Sequence, residues 1–135
     1  MNKFSTSLIY VIDDDREDFD LLNQVIVGRW PSMQFEYFED PHTFVNHLGT
    51  LEHPCFIVLD INMPKINGFE VLTSLKENVS WKKIPVVFLS TSNSLSQKAK
   101  ALELGAASYL VKPSTAAQWE DVVKELHVIR SKHDC

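Results

Sequence analysis

Cysteine and net positive charge are both scarce in this chain, and each scarcity removes a class of explanation. Only two cysteines occur in 135 residues. Cys55 opens an apolar run and Cys135 ends the chain, so no structural disulfide between them is expected, and two thiols make no metal framework. No apolar stretch approaches the length of a membrane span. Met1 to Ser7 lacks the basic start and long apolar core of a signal peptide. The formal net charge is -5, which argues against a non-specific nucleic-acid binder. The histidines His42, His47, His53, His127 and His133 are scattered without ligand spacing. These absences point to a cytoplasmic protein with neither nucleic acid nor membrane as a partner. What remains is ordinary globular material, 44% apolar and 23% charged, expected to form one domain over 1–135 with its core at about 8–130 and no output domain.

One stretch organises that domain. Phe56-Ile57-Val58-Leu59 runs straight into Asp60, and a loop marked by Pro64 and Gly68 follows. A short apolar run rich in branched residues and bounded by turn signals predicts a fully buried strand, here Cys55 to Leu59. Ligands of open α/β sheets sit beyond the carboxyl ends of the strands, and Asp60 falls at that end. Taken alone, it is equally a loop cap or a chemical group.

The rest of the chain repeats the pattern. Leu8 to Ile12 predicts a first strand that stops in Asp13-Asp14-Asp15. A helix follows from about Asp15 to Val27, with Phe19, Leu22, Val25 and Ile26 at helical spacing and acids in its first turn. Met33 to Phe38 predicts a second strand nearer a sheet edge. Asp40-Pro41 opens a short helix that ends at Gly49. Phe69, Val71, Leu72 and Leu75 predict a helix to about Asn78. Pro85 to Leu89 predicts a fourth strand ending in Ser90-Thr91-Ser92, and a helix capped by Gly105 comes after it. Ala106 to Val111 predicts a fifth strand ending at Lys112-Pro113, and Ser114 or Thr115 caps a final helix. Five alternations of strand and helix imply right-handed crossovers and a parallel sheet covered on both faces. The flavodoxin-like order 2-1-3-4-5 is the common solution at this length.

In that fold the strand ends converge. Strand one delivers Asp13 and Asp14, strand three Asp60, strand four Ser90 and strand five Lys112. Packed carboxylates raise one another's pKa, and a divalent cation with hard oxygen ligands, of which Mg2+ is the natural choice, removes that penalty. An acidic metal pocket with a lysine and a hydroxyl is what phosphoryl transfer requires, with a carboxylate available as covalent acceptor. The plain readings stand beside this one. Asp13 and Asp14 could serve as helix caps, although Asp15 is better placed. Ser90 could be a turn former, Lys112 a solvated lysine and Tyr109 an ordinary strand aromatic.

The same residues resemble a family. Val11-Ile12-Asp13-Asp14, Leu59-Asp60-Ile61-Asn62-Met63-Pro64, Gly68, Pro85 to Thr91 and Tyr109-Leu110-Val111-Lys112-Pro113 resemble the CheY-like receiver domain of two-component response regulators, in order and at family-like spacing from about Leu8 to Leu126. The resemblance implies that Asp60 accepts a phosphoryl group from the phosphohistidine of a sensor histidine kinase or histidine phosphotransfer protein. It implies Mg2+ held by Asp14, Asp60 and the backbone carbonyl of Asn62, with Asp13 acting through water. Lys112 and Ser90 would contact the phosphoryl oxygens. Tyr109 would be the rotating aromatic that reports them to a downstream partner, or to a second copy, through the face of the fourth helix, fifth strand and fifth helix. The expected role is a signalling switch rather than an enzyme, limited to self-catalysed phosphotransfer and autodephosphorylation.

Two positions depart from the family pattern. Ser90 stands where threonine is more usual, which frees its rotamer, and Thr91 is bulkier than the small residue often found there. A small aspartyl-phosphate phosphatase is the competing enzyme reading. It requires a general acid two residues past the nucleophile, where this chain has Asn62. A pure interaction module would be expected to have lost the acid pair, Asp60 or Lys112, and all are present.

Overall fold

The longest branched apolar runs make the centre of the sheet. In the computed structural model, which describes residues 8–30, 33–63, 66–115 and 117–132, Leu8–Ile12 forms β1, Phe56–Asp60 forms β3 and Val86–Ser90 forms β4. Every residue of these three strands is buried, as expected of strands covered on both faces. The flanking strands are β2 (Gln34–Phe38), whose residues are exposed or half-buried, and β5 (Ser108–Val111). All pairings are parallel, and the order β2-β1-β3-β4-β5 places β2 at an edge. The predicted sheet is the observed one.

Five helices cover it: α1 (Arg16–Arg29), α2 (Pro41–Asn46), α3 (Gly68–Glu77), α4 (Leu95–Glu103) and α5 (Trp119–Lys132). The period of two along each strand decides which helix each residue meets. Ile9, Val11, Phe56, Val58, Val87 and Leu89 pack with Leu22 and Ile26 of α1 and with Trp119, Val123 and Leu126 of α5. Tyr10, Ile12, Ile57, Leu59, Val86 and Phe88 pack with Phe44 of α2, with Val71, Leu72 and Leu75 of α3 and with Ala101 of α4. Each fully buried aliphatic or aromatic side chain contributes about 1.5–3 kcal/mol, so the two layers hold the strand ends in fixed relation.

Several boundaries differ from expectation, each for a physical reason. Asp60 and Ser90 are the last residues of their strands rather than the first of their loops, because Asp60 pairs in register with Leu89 and Ser90 with Val111. The fifth strand begins later than Ala106, whose N–H is taken by the Ala101 carbonyl at the end of α4. Gly105 follows α4 at φ 103°, the left-handed conformation that favours glycine. The final helix starts at Trp119. Thr115 Oγ1 accepts from the Gln118 N–H in a separate turn ahead of it, so neither Ser114 nor Thr115 is its immediate cap. Asp15 and Asp40 do cap α1 and α2, accepting from Glu17 N and His42 N. Against the sequence expectation, Cys55 is disulfide-bonded. No helix among the described residues is long and apolar enough to cross a membrane.

Candidate functional site

The buried polar residues of the core lie at one end of the sheet. They are Asp13, Asp60 and Ser90, exposed by 2%, 4% and 0%. Asp13 directly follows β1, where its N–H donates to the Phe38 carbonyl and so extends the β1–β2 ladder. Its Oδ1 accepts from the Asp15 N–H at 2.8 Å. Asp60 ends β3, and its Oδ1 accepts from the Asn62 N–H at 3.2 Å. Beyond Asp60 the chain folds back on itself, with Gly68 N–H donating to the Ile61 carbonyl at 2.9 Å. Only glycine fits there: a Cβ on Gly68 would lie 2.6 Å from the Asp60 carbonyl oxygen and 2.8 Å from Ile61 Cα. Asn67 and Glu70 then start α3 with reciprocal capping bonds. Pro64 and Lys65 lie outside the described residues.

Asp13, Asp14 and Asp60 converge, with one carboxylate oxygen from each within 4.8 Å of the others. Burial sets the electrostatics of Asp13 and Asp60. The Asp13 carboxyl is raised to about 7, chiefly by loss of solvent and further by the charge of Asp60, against the lowering effects of the Asp15 N–H and Lys112. Burial likewise raises Asp60, outweighing Lys112 and the Asn62 N–H. Packed acids that resist ionisation are a fitting environment for a hard cation, and the three side chains offer oxygen only.

Lys112 enters from the end of β5, its side chain 7% exposed. Its Nζ lies 3.1 Å from Asp13 Oδ2, 3.4 Å from Asp60 Oδ1 and 2.7 Å from Asp18 Oδ2. Burial alone would lower the ammonium's pKa. The hydrogen bond to Asp18 and the charges of Asp13 and Asp60 overcome this and hold it above the ordinary lysine range. Asp18, in the first turn of α1, is the residue that sequence reasoning missed. It reads as one more acid at a helix start, and only the packing of α1 near the β5 end shows that it reaches Lys112.

The hydroxyl side of the site is organised separately. Ser90 Oγ accepts from the Ser92 N–H at 3.0 Å, and the Ser90 carbonyl accepts from the Lys112 N–H. Tyr109 is 7% exposed, and its hydroxyl donates to the Ser92 carbonyl at 2.8 Å and contacts Gln97 Oε1 at 3.1 Å. The ring therefore already lies packed beneath the loop between β4 and α4. The sequence-predicted residues Asp13, Asp14, Asp60 and Lys112 come together at one point, and Ser90 ends the strand next to Asp60. Tyr109 stands beyond Ser90 and joins the group through Ser92. None of the described histidines takes part: His47, His53 and His127 make local contacts with Thr43, Trp81 and Trp30.

The sequence profile of the response regulator receiver domain matches residues 9–124. The chain is 41% identical over 107 residues to the two-component response regulator ORR11 of Oryza sativa subsp. indica, covering 78% of this chain and 70% of that protein. It is 30% identical over 107 residues to the response regulator protein TmoT of Ectopseudomonas mendocina, covering 79% of this chain but only 46% of TmoT. The match spans less than half the length of several of the curated relatives. Among solved structures, the phosphorylated cyanobacterial phytochrome response regulator RcpA superposes with a TM-score of 0.81 at 25% identity over 90% of this chain and 91% of that one. The Mn(2+)-bound form of response regulator Rcp1 does so with a TM-score of 0.81 at 27% identity over the same shares. The profile spans most of the chain and the sheet order 2-1-3-4-5 is shared with these structures: the chain belongs to the response regulator receiver domains.

Proposed function

We propose that this chain is a phosphoryl-accepting switch whose acceptor is Asp60. The observation that carries the reading is the setting of that carboxylate, buried at the end of β3 with Lys112 Nζ 3.4 Å from its Oδ1 and the Asp13–Asp14 pair alongside. In the reaction, an Asp60 oxygen attacks the phosphorus of a phosphohistidine on a sensor histidine kinase or histidine phosphotransfer protein. A P–O bond forms, the P–N bond breaks and the imidazole leaves. Lys112 supplies a positive charge to the transferring oxygens, and the Ser90 hydroxyl donates to one of them. Asp14, Asp60 and the Asn62 carbonyl would hold Mg2+, with Asp13 acting through water. Bound there, the cation would neutralise charge on the phosphoryl oxygens. The three-oxygen cluster supports this assignment, and so does the metal named for the Rcp1 structure.

Output would pass through the α4–β5–α5 face to a protein partner or a second copy of the chain. Leu95, Leu102, Val111 and Val128, all on those elements, are among the exposed large apolar residues, and the Tyr109 hydroxyl joins β5 to the loop ahead of α4. A cytoplasmic location belongs to the same proposal. Intact mass spectrometry after incubation with Mg2+ and a small phosphodonor tests it. Wild type should gain one acid- and base-labile phosphoryl group and Asp60→Asn none; equal labelling of both would remove Asp60 as acceptor.

A further inference from the structure

Lys112 has three N–H bonds and three carboxylates around it, but the three contacts are unequal. The contact with Asp18 is the shortest, a hydrogen bond of 2.7 Å. Asp13 follows at 3.1 Å and Asp60 at 3.4 Å. The ammonium is therefore committed toward α1 and stands farthest from the carboxylate that it would serve. Asp18 takes no part in the cluster of Asp13, Asp14 and Asp60. Its side chain is 21% exposed, so neither packing nor a metal requires a charge there.

Building on the phosphoacceptor reading, we infer that Asp18 is a positioning residue that competes with the phosphoryl group for Lys112. A phosphoryl group on Asp60 brings about one further negative charge and new acceptor oxygens. Nζ has further N–H bonds to offer them, but moving toward them stretches its 2.7 Å bond to Asp18. That stretching opposes the phosphorylated state. The Asp18 charge also cancels part of the ammonium's field at the phosphoryl oxygens. Asp18 thus sets how tightly the pocket holds a phosphoryl group, although it touches none of the reacting atoms.

Beryllofluoride, a mimic of the phosphoryl group, measures this directly. In the presence of Mg2+, Asp18→Asn should bind it more tightly than wild type by on the order of tenfold, the size expected for one partly screened charge a few ångströms away. Asp18→Glu, which keeps the charge, should return toward wild type. The side-chain 15Nζ resonance of Lys112 should move in ligand-free Asp18→Asn and move less on adding beryllofluoride, because the donor is already free. In a Lys112→Met background the gain from Asp18→Asn should vanish. Unchanged or weaker binding by Asp18→Asn overturns the inference, and so does an equal gain without Lys112, which would show simple repulsion. If wild type fails to bind beryllofluoride, the phosphoacceptor reading falls and this inference with it. Binding by wild type with no effect of Asp18→Asn removes this inference alone.

Discussion

The two flanks of β1 bury polar atoms under opposite terms. Tyr10 lies among Phe38, Phe44 and Trp81, and its hydroxyl donates to the Glu52 carbonyl. Trp81 Nε1 donates to the Leu48 carbonyl at 3.0 Å. Here each polar tip is neutral and has a partner, so burial is close to pure gain. Three residues after Tyr10, Asp13 buries a carboxylate beside a second buried carboxylate, and both resist ionisation. The strand thus leads from a stabilising end to an acidic end. The aromatic end packs the sheet against α2 and α3, and the acidic end gathers Asp13, Asp14 and Asp60.

The sharpest way to test the contrast is to break the stabilising end. Trp81→Ala removes a side chain that is 1% exposed together with its hydrogen bond. It should lower stability by about 3–5 kcal/mol, read as a shift of the denaturant midpoint. Mg2+ binding by the fraction still folded should survive. Next in size is Gly68→Ala. The added Cβ meets backbone atoms at 2.6 and 2.8 Å, which cannot yield as a flexible side chain would. It should destabilise by roughly 1–3 kcal/mol and weaken Mg2+ binding as well, because the atom it strikes belongs to Asp60. If stability falls and Mg2+ affinity is untouched, the loop does not hold the site as described.

The acidic end should show itself through pH. Asp13 has a folded-state pKa of about 7 against an ordinary 3.8, and Asp60 is shifted the same way. The folded state therefore binds more protons than the unfolded chain between those values. The stability contributed by these groups is complete below about pH 4 and is lost as pH rises through about 7. Without divalent cations, the melting temperature should fall from about pH 5 to about pH 8, and Asp13→Asn should flatten that slope. Saturating Mg2+ should offset the fall by binding the ionised folded form. A metal-free melting temperature that climbs across this window would show that the pocket is not where the protons are held.

How much of this was legible beforehand follows from which forces are local. The sheet order and the two faces were readable because the branched runs and their period of two are sequence signals. Asp13, Asp14, Asp60, Ser90 and Lys112 were readable because each directly follows or ends such a run. Asp18 was not, since its partner lies 94 residues away, and an acid in a first helical turn is sufficiently explained by the helix dipole. The start of α5 was misplaced because Thr115 does bond to the Gln118 N–H, the local signature of a cap, without the helix following at once. The state of Tyr109 was not readable either: sequence identifies an aromatic able to turn, whereas its burial depends on Ser92 and Gln97 being within reach of its hydroxyl.

That last point gives the smallest and most specific effect. The Tyr109 ring is already buried, held by Ser92 and Gln97. Ser90, lacking the methyl group of a threonine, leaves its rotamer freer. If the hydroxyl bond holds the ring in, Tyr109→Phe removes it while keeping the packing, at a stability loss of only about 1 kcal/mol. The consequence should lie in the equilibrium between ring positions. Amide resonances of residues 92–97 and of β5 should shift in the unphosphorylated variant toward a state distinct from the wild type. On the proposed switch, the response of those residues to beryllofluoride should then grow, because a released ring would have farther to move. A population can shift only as far as its contacts differ between states, and the contacts at stake are the two made by this hydroxyl. Spectra of Tyr109→Phe that differ from wild type only at residue 109 and its immediate ring neighbours, with an unchanged beryllofluoride response, would mean that the hydroxyl bond is structural and that Ser90 and Tyr109 are not coupled through Ser92.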